Sequence, residues 1–400
     1  MINPSANGWI VKFFAEQKSI LSPAIEDPSV LYNKIRATGF IYGHIISIDN
    51  SITFDTNSWL QNEISKVALL NTLYSVYRLS TNDTDSKFFI SKAISFYNEM
   101  NPQGFNLLKK VLPTGTPASN LENIIDERVQ TNDNIISKNF SHVVTNALLF
   151  VDVLAFQHFL NESSIPAKYL KKIEETAISI ITLALKTKSN KSKHDDLLIK
   201  LFEASVRYNK YTKLNVQNLE ELKLDYFKNE LEIKYLIDLA GMALWSDGVI
   251  ENNEAYFLYK LAENMGVSDN FVSESIINTD SFITINKNNI PYFNYSNPVK
   301  KFYDQTTQNV VKLIIRNNKR LTKEISQSKE LMILLAISTK RDLDEKEKKK
   351  VKSQLLDICK TIPSLTIFLI PGGSLLLPIL IKFIPQLLPS SFNENLEEIE

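Results

Sequence analysis

One cysteine, Cys359, in 400 residues leaves no partner for an intrachain disulfide. A cross-linked secreted scaffold is thereby excluded, and a reducing compartment is expected. The four histidines, His44, His142, His158 and His194, show neither HExxH nor cysteine–histidine spacing, so no metal site is expected. P-loop, GxGxxG and GxSxG motifs are missing as well, which points to a non-enzyme without a cofactor. Lys plus Arg and Asp plus Glu both total 45, a balance that gives no reason to expect a DNA partner. Met1 to Ile20 has no apolar run long enough for a signal peptide, because Lys12, Glu16 and Lys18 interrupt Trp9, Ile10, Val11, Phe13 and Phe14. An amphipathic helix is the expectation there.

With only ten glycines, few alternating strand patterns and many apolar positions at helical spacing, the chain reads as all-α, a multi-helix bundle. Asp27-Pro28 starts a helix expected to run to about Tyr42, and others are expected near 57–81, 85–100, 103–112 and 119–130. The loop Pro113-Thr114-Gly115-Thr116-Pro117 separates a region 1–112 from a bundle region 118–225. Asn139 to Asn161 holds Asp152 and other polar groups too costly for lipid, so it reads as a buried central helix. Asp152 near His158 reads as a polar pair or helix surface, not a dyad. A helical hairpin at 166–187 and 192–209 follows, with Lys186 to Lys193 as a solvated turn.

At 228–280 two apolar-periodic helices flank Ser246-Asp247-Gly248, a third short one follows Ser268, and Phe282-Ile283-Thr284-Ile285 reads as an irregular connector. As a calcium loop the turn fails, since its first ligand positions would be Ala243 and Trp245, which carry no side-chain oxygen. Gly248 permits a tight turn, and Glu251 or Glu254 suits the positive end of the next helix. The run Leu239-Ala240-Gly241-Met242-Ala243-Leu244-Trp245-Ser246-Asp247-Gly248-Val249-Ile250-Glu251-Asn252-Asn253-Glu254 resembles the signature of TerB-like helical modules. That resemblance implies a cation or partner-binding site at Asp247, Glu251 and Glu254.

Region 298–360 is expected to hold a long helix from Pro298 toward Ile337 and a basic helix capped by Asp344 with Glu347 three residues later, ending near Lys360. Beyond it, Thr361 to Ile381 is free of charge and, as helix, roughly 30 Å long, enough for a bilayer core. Within this 361–390 segment the membrane-facing candidates are Phe368, Leu369, Ile370, Pro371, Gly372, Gly373, Leu375, Leu376, Leu377, Pro378, Ile379 and Leu380. Pro363, Pro371, Pro378 and the Gly-Gly pair break a regular helix, so a hairpin packed on the bundle is the alternative. Lysines 346, 348, 349, 350, 352 and 360 precede the run, whereas the tail 391–400 is acidic; the positive-inside rule then keeps residues 1–360 in the cytoplasm.

Lys360-Thr361-Ile362-Pro363-Ser364, Ile370-Pro371-Gly372-Gly373-Ser374-Leu375-Leu376-Leu377-Pro378 and Lys382-Phe383-Ile384-Pro385-Gln386-Leu387-Leu388-Pro389 resemble the transmembrane segment of the Letm family. The chain also resembles bacterial Letm-related proteins described as biofilm-associated. The resemblance implies cation and proton homeostasis at an inner membrane, membrane lipid as partner, and ribosome association by family analogy alone. A protein partner or a homo-oligomer would have to complete any transport path, since Thr361 to Ile381 holds no ionisable group. The expected setting is a bacterial inner membrane with most of the chain cytoplasmic; a soluble cytoplasmic interaction module is the alternative.

Overall fold

In the computed structural model the described residues are 2–17, 27–48, 56–100, 115–129, 149–162, 166–188, 216–245, 250–287, 310–362, 365 and 381. The expected helices at 103–112 and 192–209 lie outside them. Regular structure among the described residues is helical throughout, as the glycine-poor, helix-periodic sequence implies. The chain divides into two compact units, one built from most of residues 1–295 and one from 296–400 with two short upstream pieces.

The first unit contains α1 (Trp9–Gln17), α2 (Pro28–Ala37), α3 (Gln61–Thr81), α4 (Ser86–Met100), α5 (Pro117–Val129), α6 (Leu149–Glu162), α7 (Pro166–Thr187), α8 (Glu230–Leu244), α9 (Asn252–Asn264) and α10 (Asp269–Asn286). Helices α3, α6 and α8 bury almost every side of their central turns, which makes them the spine of the bundle. α3 packs on α6, α6 on α7, and α7 on α8, while α8 also receives α2, α9 and α10. The aromatic core follows this order, with Phe150 of α6 meeting Tyr32, Phe40 and Tyr235, and Phe89 of α4 meeting Tyr74, Tyr77 and Phe156.

The acids Asp152 and Glu122, drawn into this core, find donors on neighbouring helices. Asp152 of α6 accepts from Arg128 Nε of α5 at 2.6 Å, from Arg128 Nη2, and from the Tyr97 hydroxyl of α4 at 3.2 Å. Its expected neighbour His158 instead faces Glu162 at 3.4 Å and stacks on Tyr169. Glu122 of α5 accepts from the Gly8 and Ile10 amides at 2.9 Å, so it serves as the N-terminal cap that α1 lacks in its own sequence.

Three local expectations are corrected. Helix α2 stops at Ala37, short of Tyr42, because Gly39 turns left-handed at φ 80° and a 3-10 turn follows over Phe40–Tyr42. A side chain at Gly39 would also strike the His44 carbonyl and Phe282, which explains why the chain reverses at a glycine. Phe282 to Ile285 are helical, since Phe271, Val272, Ser275, Thr279, Phe282, Ile283 and Asn286 form one continuous buried face that extends α10. Lys188, read as part of a solvated turn, is buried and donates to the Leu244 carbonyl at 3.4 Å, a cation at the negative end of α8.

In the second unit the expected long helix is broken into a helical stretch at 310–316, α11 (Asn318–Ser326) and α12 (Lys329–Lys340), followed by α13 (Glu345–Thr361). Ser328 causes one break, accepting from the Leu331 amide as the cap of a new helix. The Asn317 side chain, turned back onto the Leu313 carbonyl at 2.7 Å, marks the other. These helices close on an apolar cluster that includes Leu313, Leu321, Ile325, Leu335, Val351, Leu355 and Cys359.

Two measurements test the first unit. Asp152→Asn or Arg128→Met should each lower stability by about 3–5 kcal/mol in urea unfolding, because either strands a buried partner. The double change Asp152→Leu with Arg128→Met should cost less than the two single losses combined. His44 is held down to about pKa 4 by burial, from 6.5. Its neutral form belongs to the fold, so stability should fall as pH drops from about 6.5 to 4, by up to about 3 kcal/mol. Glu122, Asp126, Glu232 and Asp238 are shifted upward by burial and act in the opposite sense. The difference between His44→Gln and the parent therefore isolates the histidine.

Candidate functional site

The basic helix α13 starts where the sequence places it. Asp344 Oδ1 accepts from the Glu347 amide at 2.8 Å, and Glu347 Oε2 accepts from the Asp344 amide at 2.8 Å, closing a capping box. Arg341 grips the same Glu347 in a bidentate pair at 2.8 and 2.6 Å, which pulls that carboxyl down to about pKa 2. Glu330 in the first turn of α12 accepts from Gln354 at 2.8 Å and from Lys350, joining α12 to α13. Val351, Leu355, Ile358 and Cys359 then bury one stripe of the helix.

The opposite side of α13 is cationic. Lys346, Lys349 and Lys352 are exposed and, among the described residues, have no ion-pair partner, whereas Lys348 pairs with Glu345 and Lys360 with Asp357. On α11 the buried Leu321 and Ile325 leave Lys319, Arg320 and Lys323 outward, exposed and similarly unpaired. Residues 310–362 carry 14 Lys and Arg against seven Asp and Glu, on a chain with equal totals. Positive charge is therefore concentrated just before the uncharged run.

Phe368, Leu369, Ile370, Pro371, Gly372, Gly373, Leu375, Leu376, Leu377, Pro378, Ile379 and Leu380 lie outside the described residues. Two described residues bracket all of them. Leu365 is fully buried in the apolar cluster of the second unit, and Ile381 packs against the same cluster. Among the described residues, no helix is long and apolar enough to cross a membrane.

The acids of the earlier turn are placed differently from one another. Asp247 lies outside the described residues. Glu251 is the N-cap of α9, and the carboxylate of Glu254 accepts from its amide at 2.8 Å while only 1% exposed. Both residues are thus engaged in starting a helix. No group of three or more His, Cys, Asp or Glu positioned to hold a metal ion occurs among the described residues.

Sequence reading passed over a third feature, a buried polar hub on α8. Asp238, 1% exposed, accepts from the Tyr32 hydroxyl and the Ser275 hydroxyl, and lies 3.6 Å from Arg36 Nη1. Arg36 also pairs with Glu274 at 2.7 Å. Burial raises the Asp238 carboxyl, while Arg36, Ser275 and Tyr32 pull it back. A cleft of about 250 Å³ opens beside Arg36, Tyr42, Glu274, Asn278 and Phe282. Its one guanidinium is already engaged by Glu274 and lies beside Asp238, so the cleft offers no uncommitted cation to a ligand. The available signal was Asp238 itself, a lone acid inside Leu236-Ile237-Asp238-Leu239.

Residues 343–400 match the family model described as LETM1-like, RBD. The match begins one residue before the Asp344 cap and takes in α13, the uncharged run and the acidic tail. This part of the chain is similar to LETM1-like proteins, in agreement with the Letm resemblance of the proline- and leucine-rich segments. No curated protein and no solved structure gives a significant match to the chain.

Cys359 allows the integrity of this site to be followed. It is fully buried, and burial pushes its thiol up to about pKa 12. In the native protein at pH 8, iodoacetamide should react at least about 1,000-fold more slowly than with the urea-unfolded chain. As no other thiol exists, the labelling rate reports opening of the second unit alone.

Proposed function

We propose that the chain is a non-enzymatic helical scaffold of Letm type, held at a bacterial inner membrane by its C-terminal segment with the helical body on the cytoplasmic side. The observation that carries this reading is the LETM1-like match at 343–400, which joins a cation-rich helix to an uncharged run. Such a pairing suits a membrane boundary, because lysines hold to the cytoplasmic surface while the run enters hydrocarbon. Within this reading, cation or proton homeostasis, or an envelope and biofilm role, is exercised together with a partner or further copies of the chain. The TerB-like turn at Asp247, Glu251 and Glu254 is the proposed contact for that partner. Ribosome association remains an analogy with the family and is not adopted.

A hairpin is the second reading of the run, and one placement favours it. A straight helix from Leu365 to Ile381 would separate its ends by about 24 Å. Instead both residues pack against one apolar cluster, which suits entry and exit on the same side.

Fractionation tests the attachment. The full chain should stay with membranes through an alkaline carbonate wash, and Leu376→Arg should release most of it, since an arginine in hydrocarbon costs about 2.5–3.5 kcal/mol. Complete release of the parent chain would end the proposal. Protease access to a C-terminal tag in sealed inverted vesicles separates the two topologies: cleavage from the cytoplasmic face marks the hairpin, and protection marks the span.

A further inference from the structure

The outer faces of α13 and α11 carry cations that take no part in the apolar packing. Lys346 and Lys349 lie away from the stripe Val351–Leu355–Ile358 that holds α13 in place, Lys352 is exposed at its edge, and Lys319, Arg320 and Lys323 lie away from Leu321 and Ile325. A helical surface in a chain of zero net charge would ordinarily interleave acids with these cations. Most acids among the described residues of the second unit are already engaged: Glu347 by Arg341 and the cap, Glu330 by Lys350 and Gln354, Glu345 by Lys348, Asp357 by Lys360, while Glu324 and Asp342 pair with none of the six cations. Among the described residues these six cations are exposed and form no ion pair.

We infer that this surface of the second unit docks on the anionic headgroups of a phospholipid leaflet, with Lys346, Lys349 and Lys352 as its main contacts. The inference rests on the membrane attachment proposed above and adds to it a lipid class and a docking face. Charge complementarity selects the partner. The six exposed cations are spread along the outer positions of two helices, a spacing that suits a sheet of separate phosphates better than one enclosed ligand. Position selects the leaflet over a free polyanion, because α13 ends at Thr361, the first residue of the uncharged run. A helix of 17 residues, about 25 Å long, laid along the headgroups would bring that run to the edge of the hydrocarbon. The cations thus recruit and orient, and the apolar run anchors. Each lysine near such a surface adds a comparable increment to affinity, and all of it is screened by salt.

The experiment is flotation of the full chain with phosphatidylcholine vesicles, with and without phosphatidylglycerol, at low and high salt. The parent should bind the anionic vesicles far better and lose that preference at high salt. The variant K346Q/K349Q/K352Q should bind anionic vesicles about 100-fold more weakly. Its Cys359 should stay as slow to alkylate as in the parent, which shows that the unit is folded. In a Leu376→Arg background the anchor is impaired, and the residual binding should remain dependent on phosphatidylglycerol and on the three lysines.

Other results overturn the inference, and they are distinguishable. Equal binding to both vesicle types, unmoved by the triple change, leaves membrane attachment standing and removes headgroup docking. Failure to bind either vesicle removes both. Tight binding of single-stranded RNA that is lost in the triple variant, with vesicle binding intact, would assign the surface to nucleic acid.

Discussion

A carboxylate taken out of water inside a helical bundle has to find its donors on other helices, and the N-terminal unit is organised around that requirement. Asp152 draws in Arg128 and Tyr97, Glu122 draws in the first amides of α1, and Asp238 draws in Tyr32, Arg36 and Ser275. Each acid ties its own helix to at least one segment far away in sequence. Apolar burial alone would hold these helices together without fixing their register, whereas a buried charge tolerates few arrangements. Packing of the aromatic core around Phe150 and Phe89 is then built on a frame whose geometry the polar links restrict.

The C-terminal unit solves the problem in the opposite way. Among the described residues its core is an apolar cluster, with the thiol of Cys359 among the most deeply buried groups, and acids such as Asp344 and Glu330 stay out of that core, where they cap a helix or neutralise a cation. What is left over is a set of solvated lysines on α13 and α11. The same economy that stabilises the helix starts therefore leaves an unbalanced positive surface beside an uncharged run, and both the proposed attachment and the proposed lipid contact derive from it.

Much of the helical architecture was legible because it depends on local chemistry. The box of Asp344 and Glu347, the start at Asp27-Pro28 and the periodic face of α8 all involve residues within a turn or two of each other. Where the reading failed, a distant contact decided. Ile283-Thr284-Ile285 has the β-branched look of a connector, but Phe282 and Ile283 continue the buried face of α10. Lys188 sits in a lysine-rich stretch that looks solvated, but the open end of α8 reaches it. Of the candidate site, the basic helix was readable from charge spacing, while the engagement of Glu254 with the start of α9 needed its backbone neighbour in place.

From order and composition alone came the helical class, the caps, the absence of cross-links and the juxtaposition of lysines with an uncharged run. These are properties of neighbours along the chain, where spacing and geometry are nearly the same thing. Tertiary structure decided which acid meets which base, that Asp152 belongs to Arg128 and not to His158, which lysines stay unpaired among the described residues, and that Leu365 and Ile381 share one cluster. Pairing across the bundle is set by how whole helices pack and by the cost of leaving a polar group dry, and neither is written in any short stretch of residues.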